Sequence, residues 1–155
     1  MSTVRLRRDD ALGPNALAMI AESEAELASI YPAEVRFAFS PEELTDAGVA
    51  FLVAYRDGIT VGCGGVALYD GFAELKRIFV TKAARGARIA AQIVEGLEQI
   101  ATKADLTVMR LETGEASPEA IRLYERLGYA RCGPFADYEE NGSSVFMEKH
   151  LTGSA

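Results

Sequence analysis

Between Phe72 and Ala101 the apolar pattern changes its period. FAELKRIFV alternates as a strand, whereas the stretch after Ala84 carries Ile89, Ile93, Leu97, Ile100 and Ala101 on one helical face, opposite Gln92, Glu95 and Gln99. A strand that turns at once into an amphipathic helix obliges the chain to lay that helix on a sheet. The junction, Arg85-Gly86-Ala87-Arg88-Ile89-Ala90, is rich in glycine and arginine. A helix N-terminus offers backbone N–H groups without intrahelical partners and a positive dipole end, so it favours an anion. Small residues at Gly86, Ala87 and Ala90 allow close approach to the backbone, and Arg85 and Arg88 add charge-assisted donors. A pyrophosphate matches this cradle. An ordinary helix start with two solvated arginines has the same spacing, so other segments must decide.

The 155 residues, 49% of them hydrophobic, suit one domain spanning residues 1–155. No apolar run approaches membrane-spanning length, and MSTVRLRRDD is interrupted by charge before a secretory core could form, so a cytoplasmic protein without a membrane partner is expected. Cys63 and Cys132 are too few for a disulfide framework and lack the spacing of a metal site; both read as small core residues, and no metal is expected. A net charge of -7 disfavours nucleic acid as a partner. It is compatible with a cationic substrate, and equally with acidity that only maintains solubility. A homodimer is left open.

Val4–Arg8 reads as a first strand, followed by a helix from about Pro14 with Leu17, Ile20, Leu27 and Ile30 on one face. After Pro32 comes an aromatic segment, and Ser40-Pro41-Glu42-Glu43 signals a short second helix. Val49–Tyr55 and Ile59–Tyr69 form a predicted hairpin around Arg56-Asp57-Gly58, and Asp70-Gly71 leads into a strand from Phe72 to Thr81. Leu106–Thr113 is a further strand, Ser117-Pro118-Glu119 opens a helix that ends at Gly128, and Val145–Leu151 is the last strand. This order predicts an α/β fold, a mixed sheet with helices on both faces.

Read together, ELKRIFV, RGARIA and SPEAIRLYERLGY resemble the GCN5-related N-acetyltransferase (GNAT) family over most of the chain. The resemblance implies a mostly antiparallel sheet of six to seven strands with a splayed central pair, and acetyl-CoA as cosubstrate. It implies that the backbone at Ile78, Phe79 and Val80 receives the pantetheine arm and acetyl group, and that residues 85–90 bind the pyrophosphate. Arg88 stands where the family usually has the first glycine of its pyrophosphate loop. Ser117 replaces an asparagine that often touches the pantetheine arm; capping a helix with Pro118 at its first position explains Ser117 equally well.

Glu74, in Phe72-Ala73-Glu74-Leu75, matches a stretch whose glutamate is the general base in several family members. A carboxylate there could relieve the amine of its proton, or it could pair with Lys76 or Arg77. Tyr124 matches the family's general acid for the departing thiolate; packing its ring with a hydroxyl bonded to backbone is the competing role. Tyr31, Glu112, Thr113 and Tyr138 are the candidate acceptor contacts, with Phe37 and Phe39 nearby, and carboxylates and tyrosines suit an ammonium-bearing acceptor. His150, the sole histidine, is given no role. The expected function is direct acetyl transfer to a primary amine on a small molecule. The alternatives are a non-catalytic acyl-CoA-binding module and a protein lysine or N-terminal acetyltransferase.

Overall fold

A computed structural model describes residues 3–30, 48–85, 88–136 and 138–151. The expected second helix at Ser40, the candidate contact Tyr31, Phe37 and Phe39, and Gly86 and Ala87 of the cradle lie outside the described residues. In chain order the elements are β1 (Val4–Arg8), α1 (Pro14–Ala28), β2 (Val49–Arg56), β3 (Ile59–Leu68), β4 (Ala73–Val80), α2 (Ile89–Lys103), β5 (Val108–Gly114), α3 (Pro118–Arg126), β6 (Ala130–Cys132) and β7 (Ser144–His150). Proline at the first helical turn opens both α1 and α3, where its missing N–H costs nothing. Asp57 and Gly58 both adopt positive φ, the backbone that a tight hairpin between β2 and β3 requires. The helix expected after Ala84 begins later, at Ile89, because Lys82–Ala84 first forms a 3-10 turn.

The strands form one seven-stranded sheet in the order β1-β2-β3-β4-β5-β7-β6. Every neighbouring pair is antiparallel except β4 and β5. That parallel pair meets only at Ala73↔Met109 and Glu74↔Arg110, and beyond Glu74 the two strands part. β6 was not foreseen: it is three residues long, mostly exposed, and depends on pairing with β7 rather than on an apolar pattern of its own.

Alternation sorts the strand residues to two faces. Leu52, Val66, Leu75, Leu111 and Met147 join Ile93 and Leu97 of α2 and Tyr124 of α3 in the larger core. Phe51, Val53, Cys63 and Phe79 join Ala16, Met19 and Ile20 of α1 on the opposite face. Burial pushes the Cys63 thiol up to about 12. Cys132, expected in the core, is instead half-buried on β6, because that strand lies at the sheet edge with little to cover it.

Candidate active site

The site begins with a defect in β4. Cys63 of β3 opposes Phe79 and Gly65 opposes Lys76, so Arg77 and Ile78 together face the single residue Gly64. This is a β-bulge, and Arg77 accommodates it with φ 57. Because the extra residue breaks alternation, Lys76 and Arg77 project to the same face of the sheet. Arg77 pairs there with Glu24 of α1, and Lys76 with Glu74 at 3.1 Å. The bulge turns β4 away from β5, leaving the edge of Leu75–Val80 that faces β5 without a partner strand.

A cleft of about 1020 Å³ opens along that edge. Leu75–Val80 form its floor, the start of α2 at Arg88–Ala91 lies at one end, and Leu111–Gly114 of β5 and α3 close the far side. Ser23, Glu26 and Leu27 of α1 wall it from the other face. Ile78, Phe79, Val80, Arg85, Arg88, Ile89, Ala90, Glu112, Thr113, Ser117 and Tyr124 all line this one cavity, although they come from five separate segments.

Arg88 is the N-cap of α2 and adopts the left-handed conformation, φ 59 and ψ 23. This is the backbone that glycine favours, and it accounts physically for the glycine usual in such a turn. The Arg88 guanidinium is 76% exposed and lies 3.7 Å from Glu95. Arg85 is held more tightly: its Nε donates to the Val80 carbonyl at 2.9 Å and its Nη2 to Glu26 at 2.6 Å, tying the cradle to β4 and α1. Ser117 occupies the N-cap of α3 with Pro118 in the first turn, and its side chain makes no capping hydrogen bond.

The two glutamates on the strands beside the splay sit differently. Glu74 is 2% exposed and does not line the cleft; its Oε2 accepts the Tyr138 hydroxyl at 2.6 Å beside Lys76 Nζ at 3.1 Å. Lys76 Nζ in turn donates to the Tyr138 oxygen at 2.6 Å. Tyr138 therefore belongs to this buried cluster and is not a cleft residue among the described ones, and burial beside the Glu74 charge raises its phenol well above the usual range. Glu112 does line the cleft. Its Oε2 accepts the Ser144 hydroxyl at 2.7 Å, and burial raises its carboxyl above the usual range, an effect that Ser144 and Lys76 moderate and Glu74 augments. The pairing of Glu74 with Lys76 that the sequence offered as an alternative is present; Ser144 carries no motif, and only its position beside Glu112 gives it a part.

Tyr124 is 7% exposed, and its ring meets Tyr129 edge-on at a centroid distance of 5.9 Å. Tyr129 is itself anchored by donating to Glu98 at 2.7 Å. The Tyr124 ring packs in the larger core, and its hydroxyl makes no hydrogen bond among the described residues. Burial, and then the Glu112 charge, raise its phenol above the usual range and keep it protonated.

A profile of the "Acetyltransferase (GNAT) family" matches residues 16–129. The chain belongs to this family of N-acetyltransferases. The IAA acetyltransferase of Azospirillum brasilense is 37% identical over 97% of this chain and 100% of its own length. Among solved structures, a Klebsiella pneumoniae protein assigned as an acyl-CoA N-acyltransferase superposes with a TM-score of 0.81 at 31% identity, covering 98% of the enzyme and 99% of that chain. The PaiA N-acetyltransferase of Thermoplasma acidophilum, solved in complex with coenzyme A, shares the fold with a TM-score of 0.73 at 20% identity, covering 96% of this chain and 99% of that one.

Proposed function

We propose that the enzyme transfers the acetyl group of acetyl-CoA directly to a primary amine on a small molecule. The observation that carries this reading is the continuity of the cleft. It runs from a helix N-terminus suited to a pyrophosphate, along an unpaired strand edge able to hydrogen-bond an extended amide-bearing arm, to a buried phenol without a hydrogen-bond partner among the described residues. The backbone of Ile78, Phe79 and Val80 holds the pantetheine arm and polarises the thioester carbonyl, residues 85–90 hold the pyrophosphate, and Tyr124 returns a proton to the departing thiolate. The solved complex of the Thermoplasma protein with coenzyme A supports this assignment by its shared fold.

Direct transfer is favoured over an acyl-enzyme because no thiol is placed to attack. The chain has two cysteines, and neither Cys63 nor Cys132 lines the cleft. The small-molecule reading is supported by Ser23, Glu26 and Leu27 of α1, which wall the cleft opposite β4. The test is free thiol released from acetyl-CoA in the presence of tyramine, spermidine, kanamycin, L-lysine or a lysine-containing peptide. Acceptor-dependent release with a free amine and not with the peptide is the expected result; binding of coenzyme A without release from any acceptor would instead mark a non-catalytic module. Tyr124→Phe should lower kcat by about 10²-fold or more while leaving coenzyme A affinity in place. Its thermal stability should be unchanged, since the hydroxyl has no hydrogen bond to lose among the described residues.

A further inference from the structure

Resting on acetyl transfer as proposed above, we infer that Glu112, held by Ser144 and Asn141, is the carboxylate that takes the proton from the acceptor amine, and that Glu74 is structural. Three observations converge on this assignment.

The first is access. Glu112 lines the cleft, whereas Glu74 is enclosed with Lys76 and Tyr138. A base must reach the proton that it removes.

The second is placement across the sheet. Leu111 packs in the core with Tyr124, Val145 and Met147, so by alternation Glu112 points to the opposite face. Ser144 donates to Glu112 from that same face. Elsewhere in the sheet, groups on opposite faces are separated by backbone. At the splay between β4 and β5 that barrier is missing, and Glu112 and Tyr124 line one cavity from its two sides. An amine can thus lose its proton on one face while the thiol leaves on the other.

The third is support. The Asn141 amide donates to Ser144 Oγ at 3.2 Å, and the Ser144 hydroxyl donates onward to Glu112 at 2.7 Å. Asn141 Oδ1 accepts the backbone N–H of both Ser143 and Ser144 at 2.8 Å, which fixes the turn entering β7. The hydroxyl is therefore oriented toward the carboxylate and holds one oxygen, leaving the other for the amine.

The protons balance as follows. The acceptor ammonium gives one proton to Glu112, which releases it to solvent, and the nitrogen lone pair forms the N–C bond to the thioester carbonyl carbon. The C–S bond breaks with its electron pair on sulfur, Tyr124 protonates that sulfur, and the second proton leaving nitrogen restores Tyr124. The products are the amide, free thiol and one solvent proton. The groups facing Glu112 are Lys76 and Glu74 from β4, Tyr124 from α3, Tyr138 and Ser144. Lys76 and Ser144 favour the ionised carboxylate; burial and Glu74 oppose it.

The experiment compares pH profiles of kcat and kcat/KM for wild type, Glu112→Gln, Ser144→Ala and Glu74→Gln, with tyramine, spermidine, kanamycin and L-lysine as acceptors. Coenzyme A affinity and thermal stability are measured alongside as folding controls. Glu112→Gln should lose about 10²- to 10⁴-fold in kcat at neutral pH, a deficit that narrows at high pH as the amine deprotonates unaided. In Ser144→Ala the acid limb should move to higher pH, because the lost donor favoured the ionised carboxylate. Glu74→Gln should retain an acid limb, moved to lower pH, because the Glu74 charge opposed ionisation of Glu112. If Glu112→Gln raises KM with kcat and the acid limb intact, Glu112 only binds the ammonium and the proposal is overturned. Loss of the acid limb in Glu74→Gln overturns it as well. A wild type that binds coenzyme A but acetylates none of these amines overturns the transfer reading itself, and this proposal with it.

Discussion

Arg88 shows how a single residue can depart from a family pattern and still obey its physics. Its left-handed backbone turns the chain into α2, and any residue with a Cβ is strained there by about 1 kcal/mol. Arg88→Gly should remove that strain and raise the unfolding free energy by up to about 1 kcal/mol, read from urea denaturation; the greater freedom of glycine in the unfolded chain sets the ceiling. Arg88→Ala keeps the strained backbone and should show no such gain. The Glu95 pair lost in both is exposed and worth little. Coenzyme A affinity should persist in Arg88→Gly, because backbone N–H donors do not depend on the side chain. The glutamates are the harder case at this scale. Glu74 and Glu112 each stand next to a leucine in an alternating strand, and nothing local separates them. What separates them is Tyr138, remote in sequence, closing over one and not the other.

At the scale of elements, β4 shapes the site, and the glycines of β3 let it do so. A Cβ on Gly62 would lie 2.8 Å from the Phe79 carbonyl oxygen and 3.0 Å from Ile93 Cδ1; the side chain can yield, but the β4 backbone would have to move. A Cβ on Gly64 would meet only side-chain ends, Ile78 Cδ1 and Ile93 Cγ2, each at 2.7 Å. Gly62→Ala should therefore cost about 1–3 kcal/mol in thermal unfolding and Gly64→Ala less, since rotamers can yield where a carbonyl cannot. Most element boundaries were legible to within a few residues from period and turn chemistry, as with β2, β3 and the Asp57-Gly58 turn. The bulge was not. Lys76-Arg77-Ile78 reads as uninterrupted alternation, and the extra residue is defined only against Gly64 of the neighbouring strand.

The whole molecule is a sheet that parts at its centre, and the site is the gap. Its walls belong to α1, β4, β5, α2 and α3, so a ligand filling it would join the two halves of the sheet. Coenzyme A at about a hundredfold excess over its Kd should add about 2.7 kcal/mol to stability, raising Tm by about 5–10 °C in a calorimetric scan. A chain whose cleft did not take coenzyme A would show no shift.

The sequence by itself determined most strands and helices and the family, because each depends on residues close together in the chain or on a motif of fixed spacing. The motif around Tyr124 also brought that residue forward as a candidate. Only the tertiary structure decided where β4 and β5 separate, which carboxylate faces the cleft and which is enclosed, and that Tyr124 keeps its hydroxyl without a hydrogen-bond partner among the described residues. The reason is physical: solvation, cross-strand pairing and hydrogen bonding set these properties, and all three are fixed by residues that meet in space from distant parts of the chain.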